Sequence, residues 1–186
     1  LPKFAQTQIL YIMKYLSLLS FLLIGSFTFA QIGVEVGYSS LNAKAKVGGN
    51  TAKATLSAFS IGLAYDLELS ETLDLQPSIG FVLGEKVENE SNNGLGIGAG
   101  LHYYFNNRDA GFYAGPVLSY SYTLEDVDTN ISAKGVVGSG LVVGYDISPQ
   151  FSVLAAYGFS LTDPSKVDGL KISTNSIGFA LQYFFR

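Results

Sequence analysis

The 186-residue chain contains no cysteine, no tryptophan and only one histidine. Without cysteine it can have no disulfide bond, thiolate metal site or cysteine nucleophile. Charged residues are also scarce, at 14% of the chain, and 11 basic against 15 acidic residues give a net charge of −4. This composition argues against a nucleic-acid partner, because neutralising phosphates requires clustered lysine and arginine.

Apolar and small residues dominate what is present. Hydrophobic residues make up 48% of the chain, which also contains 21 glycines and 13% aromatic residues. A chain this apolar is not disordered, and its length fits one domain at most, preceded by a processed segment.

Residues 13–30 have the features of a secretory signal peptide. Met13 and Lys14 precede an uncharged apolar run that ends with small residues at Thr28 and Ala30. We therefore expect cleavage after Ala30, since a transmembrane helix would need about 20 apolar residues and this run is shorter. Residues 1–12 are predicted to be a non-native upstream extension, and residues 31–186 to be the mature domain.

From Gln31 onward, bulky apolar residues alternate with small ones, a period of two that predicts β-strands. Between residues 94 and 105, for example, Leu95, Ile97 and Leu101 alternate with glycines. The pattern predicts eight strands, at residues 31–41, 59–65, 73–83, 94–105, 112–124, 132–147, 151–161 and 171–185.

The chemistry of the two faces indicates which solvent each one meets. A soluble barrel places charged residues on its outer face, whereas the second face here is mainly glycine, serine and alanine. Small residues suit a narrow lumen, and a bulky apolar exterior suits lipid, which is the arrangement of a transmembrane β-barrel. Aromatic residues gather at strand ends, where an interfacial girdle is expected; they are Tyr65, Tyr103, Tyr104, Phe105, Tyr120, Tyr122, Tyr183, Phe184 and Phe185.

The lengths of the connections support an up-and-down antiparallel barrel. Residues 42–53, 84–93, 125–131 and 162–170 form longer gaps, and these alternate with short gaps at residues 66–72, 106–110 and 148–150. Outer-membrane barrels alternate long external loops with short periplasmic turns in this way. With eight strands, both termini are expected on the periplasmic side.

These features resemble small bacterial outer-membrane β-barrel proteins of the OmpX and OmpA-barrel kind, including a porin-like family frequent in Bacteroidetes. Further support comes from the pairs Tyr65-Asp66 and Tyr145-Asp146 and from the terminal segment at residues 178–186. The resemblance implies a monomer in the Gram-negative outer membrane, surrounded by lipid and lipopolysaccharide and inserted by the barrel-assembly machinery. The assembly signal of that family typically ends on an aromatic residue, whereas this chain ends with Phe185 and Arg186.

No cofactor, metal ion or catalytic residue is predicted. The glycines of residues 94–100 recur every second position with no helix after them, so they indicate a glycine-lined strand rather than a dinucleotide site. Asp126, Asp128 and Asn130 imitate the start of a calcium loop, but Ile131 stands where that loop needs glycine.

Polar residues on the small face predict a network inside the lumen, because a buried ionised carboxylate needs a partner. Its expected members are Glu35, Gln76, His102 and Gln182. His102 could instead serve a lipid-modifying enzyme, although no serine follows it at near spacing.

The external loops carry charges of opposite sign. Lysines mark the first loop and acidic residues the second and third; the residues are Lys44, Lys46, Lys53, Glu85, Glu88, Glu90, Glu125, Asp126 and Asp128. We expect these loops to pair electrostatically over the barrel mouth, an attraction that salt weakens.

The sequence favours a non-enzymatic outer-membrane barrel with a structural or interaction role, in envelope integrity, adhesion or ligand contact by its external loops. A narrow porin-like channel for small solutes is the alternative, although eight strands enclose a lumen that side chains can fill. A lipid-modifying enzyme is a remote third possibility.

Overall fold

The structure, a computed structural model, describes residues 30–47, 49–85, 93–106, 108, 111–124, 134–165 and 167–185. Within these residues, eight consecutive antiparallel strands form a closed barrel, which confirms the predicted fold. The strands are β1 (Ala30–Val47), β2 (Asn50–Ser70), β3 (Leu73–Gly84), β4 (Gly94–Tyr104), β5 (Phe112–Thr123), β6 (Gly135–Ser148), β7 (Phe151–Ser160) and β8 (Leu170–Phe185). The predicted upstream extension and signal peptide lie outside the described residues.

In the part of the chain that the structure describes, no helix is both long enough and apolar enough to cross a membrane.

The first and last strands close the barrel. β1 pairs with β8 in an unbroken antiparallel register that runs from Ile32 opposite Phe185 to Val47 opposite Leu170. Closure removes the two free edges that an open sheet would expose. It also pairs the backbone polar groups within the sheet, which the interior of a bilayer requires.

The two faces are arranged as the alternation predicts. Bulky apolar side chains point outward, and Phe59, Leu141 and Phe179 are 62%, 62% and 63% exposed. Glycine, serine and alanine alternate with them and face the lumen. A continuous apolar exterior would be unfavourable in water, but it is the face that a membrane barrel presents to lipid.

Two of the predicted girdle residues face inward instead. Tyr104 and Phe184 are each only 5% exposed, whereas their neighbours Tyr103 and Tyr183 point outward. The period of two explains the difference, because side chains adjacent along a strand lie on opposite faces. Tyr104 and Phe184 therefore help to fill the lumen.

The predicted long loop at residues 42–53 was wrong. β1 continues to Val47 and β2 begins at Asn50, and Gly49 lies between them with a φ of 95°. The alternation continues through this segment, but its outward positions are polar, so it was mistaken for a loop. Lys44, Lys46 and Lys53, predicted as loop charges, consequently lie on strands.

Candidate functional site

One end of the lumen is filled by a polar cluster, which we call the plug. Side chains from all eight strands form it. Those from β3 to β8 are at most 8% exposed, whereas Glu35 of β1 and Asp66 of β2 are more exposed and contact Gln182 and Arg108 respectively. Arg108 enters from the connection between β4 and β5. The plug consists of Glu35, Asp66, Asp74, Gln76, His102, Tyr104, Arg108, Tyr113, Val142, Asp146, Ser152, Gln182 and Phe184.

Gln182 is the centre of one half of the plug. Its side-chain nitrogen donates hydrogen bonds to Oε2 of Glu35 and to Oε1 of Gln76, both at 2.7 Å. Glu35 lies directly opposite Gln182 in the register of β1 and β8, whereas Gln76 reaches it from β3 across the lumen. Three of the four residues predicted to form a lumen network therefore meet.

The fourth predicted residue, His102, occupies a different position in the plug. It is 3% exposed, and its ring stacks on Tyr113 with a centroid distance of 4.6 Å. Within the described residues, Nδ1 of His102 has no hydrogen-bond partner. The imidazole thus faces the lumen, away from the lipid-facing surface of the barrel.

Arg108 organises the other half of the plug. Its guanidinium lies 2.5 Å from Asp74, 2.7 Å from Glu68 and 3.6 Å from Asp66. It also lies over the ring of Tyr104, 5.7 Å from the centroid, in cation–π geometry. One cation thereby ties the β4–β5 connection to β2 and β3.

The charge of Arg108 is secure in this setting. Burial lowers the pKa of its guanidinium, but the carboxylates of Asp74 and Asp66 raise that pKa by more than burial lowers it, so the net shift is upward. A permanent cation compensates Asp74, whose side chain is fully buried, because an unpaired carboxylate there would carry a large desolvation penalty.

Asp146 and Ser152 complete the wall on the opposite side of the lumen. The hydroxyl of Ser152 donates a hydrogen bond to Oδ1 of Asp146, across the register of β6 and β7. The space left among the plug residues is about 20 Å³, room for roughly one water molecule. At this cross-section the side chains close the lumen.

Sequence reasoning missed most of the Arg108 half of the plug. The period of two places Asp66 and Asp74 on the lumen face, a signal that was available. Arg108, however, lies in a connection, where periodicity says nothing about side-chain direction. Among the described residues, no group of three or more acidic or histidine side chains is arranged to hold a metal ion.

Above the plug, toward the turn between β1 and β2, the lumen wall is lined by small residues. Gly37, Gly62, Gly80 and Gly98 face inward at this level, together with serines on neighbouring strands. The plug is therefore the part of the lumen with large side chains.

The predicted charge pairing over the mouth of the barrel stays a prediction. Glu88, Glu90, Glu125, Asp126 and Asp128 lie outside the described residues. Glu85 is described, and its Oε2 accepts a hydrogen bond from the backbone nitrogen of Ser57, at 3.2 Å.

Residues 18–185 match a family model described as the outer membrane protein beta-barrel domain. Similar solved structures include Neisserial surface protein A, 20% identical, covering 82% of this chain and 97% of that one, with a TM-score of 0.48. OprG from Pseudomonas aeruginosa is 14% identical, with coverages of 84% and 96% and a TM-score of 0.47. The attachment invasion locus protein Ail of Yersinia pestis is 17% identical, with coverages of 83% and 99% and a TM-score of 0.39. No curated protein matches the sequence.

Proposed function

The chain belongs to the outer membrane protein β-barrel domain family, and from that membership we propose that it is a closed, non-conducting barrel with a structural or interaction role. In this proposal the barrel body supports the envelope, and the loops at the end opposite the plug contact ligands, surfaces or partner proteins. The termini and the plug lie at the periplasmic end. The barrel-assembly machinery inserts the chain, which acts as a monomer.

The plug is the observation that carries this proposal. A diffusion channel needs a continuous aqueous path, but here one cross-section of the lumen is occupied by buried side chains and retains about 20 Å³. Those side chains bond to one another, both between adjacent strands, as from Gln182 to Glu35, and across the lumen, as from Gln182 to Gln76. Opening a path would break these bonds and leave charged groups unpaired in a low-dielectric interior.

Single-channel recording in planar lipid bilayers tests the proposal. We expect the full chain to insert without reproducible conductance steps. The double variant Tyr113→Ala with Arg108→Ala removes two large plug side chains and should produce stable openings. These openings also serve as a positive control, because they show that inserted protein can be detected. Phe112→Ala is the matched control, because Phe112 precedes Tyr113 but points outward and is 56% exposed.

Stable openings of the unaltered chain would instead support the narrow porin-like channel. The small residues lining the lumen above the plug are the specific observation that favours this second candidate, since they leave that part of the barrel wide. The two candidates differ only in whether the plug blocks ion flow.

The position of His102 bears on the remote enzymatic alternative. Its ring is buried in the lumen against Tyr113, so it does not reach the acyl chains outside the barrel. We expect His102→Ala to leave the lipid A of the host unchanged, as measured by mass spectrometry of extracted lipid. A changed acylation pattern would revive the enzymatic proposal.

A further inference from the structure

Four lysines share one patch on the outer wall of the barrel, at the end opposite the plug. We call it the lysine patch; it consists of Lys44 and Lys46 on β1, Lys53 on β2 and Lys171 on β8. Lys44 is an even number of residues from Tyr38 on β1, and Lys53 is an even number of residues from Phe59 on β2. Both aromatic side chains point outward. Because alternate residues of a strand share a face, the patch lies on the outside of the wall and not in the lumen.

One lysine lies at the same distance from the apolar belt on each of the three strands, and Lys46 lies two residues further out on β1. Lys44 lies six residues beyond Tyr38, and Lys53 and Lys171 lie six residues before Phe59 and Ile177, the last outward apolar residues of their strands. Six residues correspond to about 20 Å along a strand, or about 14 Å above the apolar belt at a tilt of 45°.

Within the patch the lysines face one another in pairs. Lys46 lies opposite Lys171 in the register of β1 and β8. Thr55 donates a hydrogen bond to Asn42, at 2.9 Å, and the antiparallel ladder then places Lys53 beside Lys44, two residues further along. Like charges directly opposite each other are destabilising, and none of these lysines forms an ion pair with an acidic residue in the described ranges. A bound polyanion would remove that repulsion.

A cleft of about 300 Å³ connects the patch to the wall below it. Lys44 and Lys53 line the cleft together with three outward polar residues, Asn42, Thr55 and Asn175. Amide and hydroxyl groups beside two ammonium groups suit a phosphorylated sugar, which offers both hydroxyls and anionic oxygens. The cleft therefore supplies polar contacts between the charged patch and the apolar belt.

An apolar groove of about 380 Å³ lies below the cleft on the same three strands, extending to β7. It is lined by Val36, Tyr38, Phe59, Val153, Phe179 and Leu181, with Gly37, Leu154 and Ala180. The order from the membrane outward is thus an apolar groove, a polar cleft and then cations. A lipid has the same order, with acyl chain, polar headgroup and anionic groups.

We propose that this wall of β8, β1 and β2 is a binding site for a phosphorylated glycolipid of the outer leaflet, with its phosphates on the lysine patch and an acyl chain in the groove. The inference rests on the proposed function, which puts this end of the barrel in the outer leaflet. The headgroup region of an ordinary phospholipid leaflet is only about 5–8 Å deep, too shallow to reach the patch, whereas a sugar headgroup is deep enough. Two cation pairs favour a headgroup that carries two or more phosphates.

Binding of rough lipopolysaccharide to the full chain in neutral detergent micelles tests the site. The variant with all four lysines changed to glutamine should bind the phosphorylated lipid at least tenfold more weakly than the unaltered chain, with a smaller dependence on salt. The variant with all four changed to arginine keeps the charge and should retain binding. Chemically dephosphorylated lipopolysaccharide should bind the unaltered chain and the glutamine variant equally.

Lys134→Gln is the control for a general effect of charge, since Lys134 precedes β6 outside the patch; Lys46→Gln should weaken binding more. Equal binding of phosphorylated lipid to the unaltered chain and the four-glutamine variant overturns the site. A second outcome would also overturn it. If the four-glutamine variant binds lipid normally and differs only in that residues 86–92 are cleaved faster by protease in the absence of lipid, the lysines would serve an acidic loop of the same chain. Failure of the unaltered chain to insert into bilayers would overturn the proposed function instead.

Discussion

Arg108 approaches Asp74 to 2.5 Å, and this ion pair joins the connection between β4 and β5 to a fully buried carboxylate on β3. Asp74 lies opposite His102 in the register of β3 and β4, so the ion pair of Arg108 and Asp74 lies at the same level of the barrel as His102, another residue of the plug. The contact has a structural consequence. The β4–β5 connection is held against β3, and the cation of Arg108 also neutralises the acidic residues of β2.

Arg108→Gln should destabilise the barrel by about 3–5 kcal/mol, because it leaves Asp74 buried without a cation. Urea unfolding of the chain in detergent micelles measures the change. Far-UV circular dichroism follows the unfolding, because the chain has no tryptophan to serve as a fluorescence probe. The double variant Arg108→Gln with Asp74→Asn removes both charges and should be more stable than Arg108→Gln alone. A single variant within about 0.5 kcal/mol of the unaltered chain would show that the pair contributes little.

Gln182→Leu should cost about 1–3 kcal/mol, because it leaves the carboxylate of Glu35 and the amide of Gln76 without their donor. Replacing Glu35 and Gln182 together with leucine removes both polar partners across β1 and β8, so the double variant should lose less stability than the single one. The same unfolding experiment gives both values. A double variant that is as unstable as Gln182→Leu, or more unstable, would contradict this account of the network.

Gly144 allows Tyr113 to lie against β6. A Cβ atom on Gly144 would overlap the Tyr113 ring, whereas one on Gly96 would meet no atom within 4 Å. Gly144→Ala should therefore cost about 1–3 kcal/mol through overpacking, and the matched change Gly96→Ala should be nearly neutral. Thermal unfolding of the two variants side by side checks the prediction, and equal melting temperatures would mean that Tyr113 does not occupy the space beside Gly144.

Outward-facing positions should tolerate charge only outside the membrane. Leu181→Arg places a cation on the apolar wall of β8, where Leu181 is 57% exposed, and should cost about 2–4 kcal/mol near the bilayer midplane. Ser173→Arg lies on the same face of β8 but beyond the apolar belt, and should cost about 0–1 kcal/mol. Folding into lipid vesicles, measured by urea titration, separates the two. Equal costs would place both residues in the same solvent.

The sequence alone predicted the number of strands and the direction of most of their side chains, because the period of two persists in every strand. It did not predict where β1 and β2 turn: Lys44 and Lys53 continue the alternation with polar residues, which resemble a loop when hydrophobicity is the signal. The inward direction of Tyr104 followed from parity but was overridden by the expectation of an aromatic girdle. Contacts made across the lumen, such as that between Gln76 and Gln182, depend on barrel closure, which no local pattern encodes.

Heat-modifiability in an outer-membrane fraction tests the central claim most directly, namely that the chain is a closed barrel embedded in the membrane. All backbone groups of such a barrel pair within the sheet, so it resists detergent until it is heated. Unboiled protein from that fraction should therefore migrate differently from boiled protein on a denaturing gel. Identical migration, with the chain recovered in the soluble periplasmic fraction, would contradict the claim.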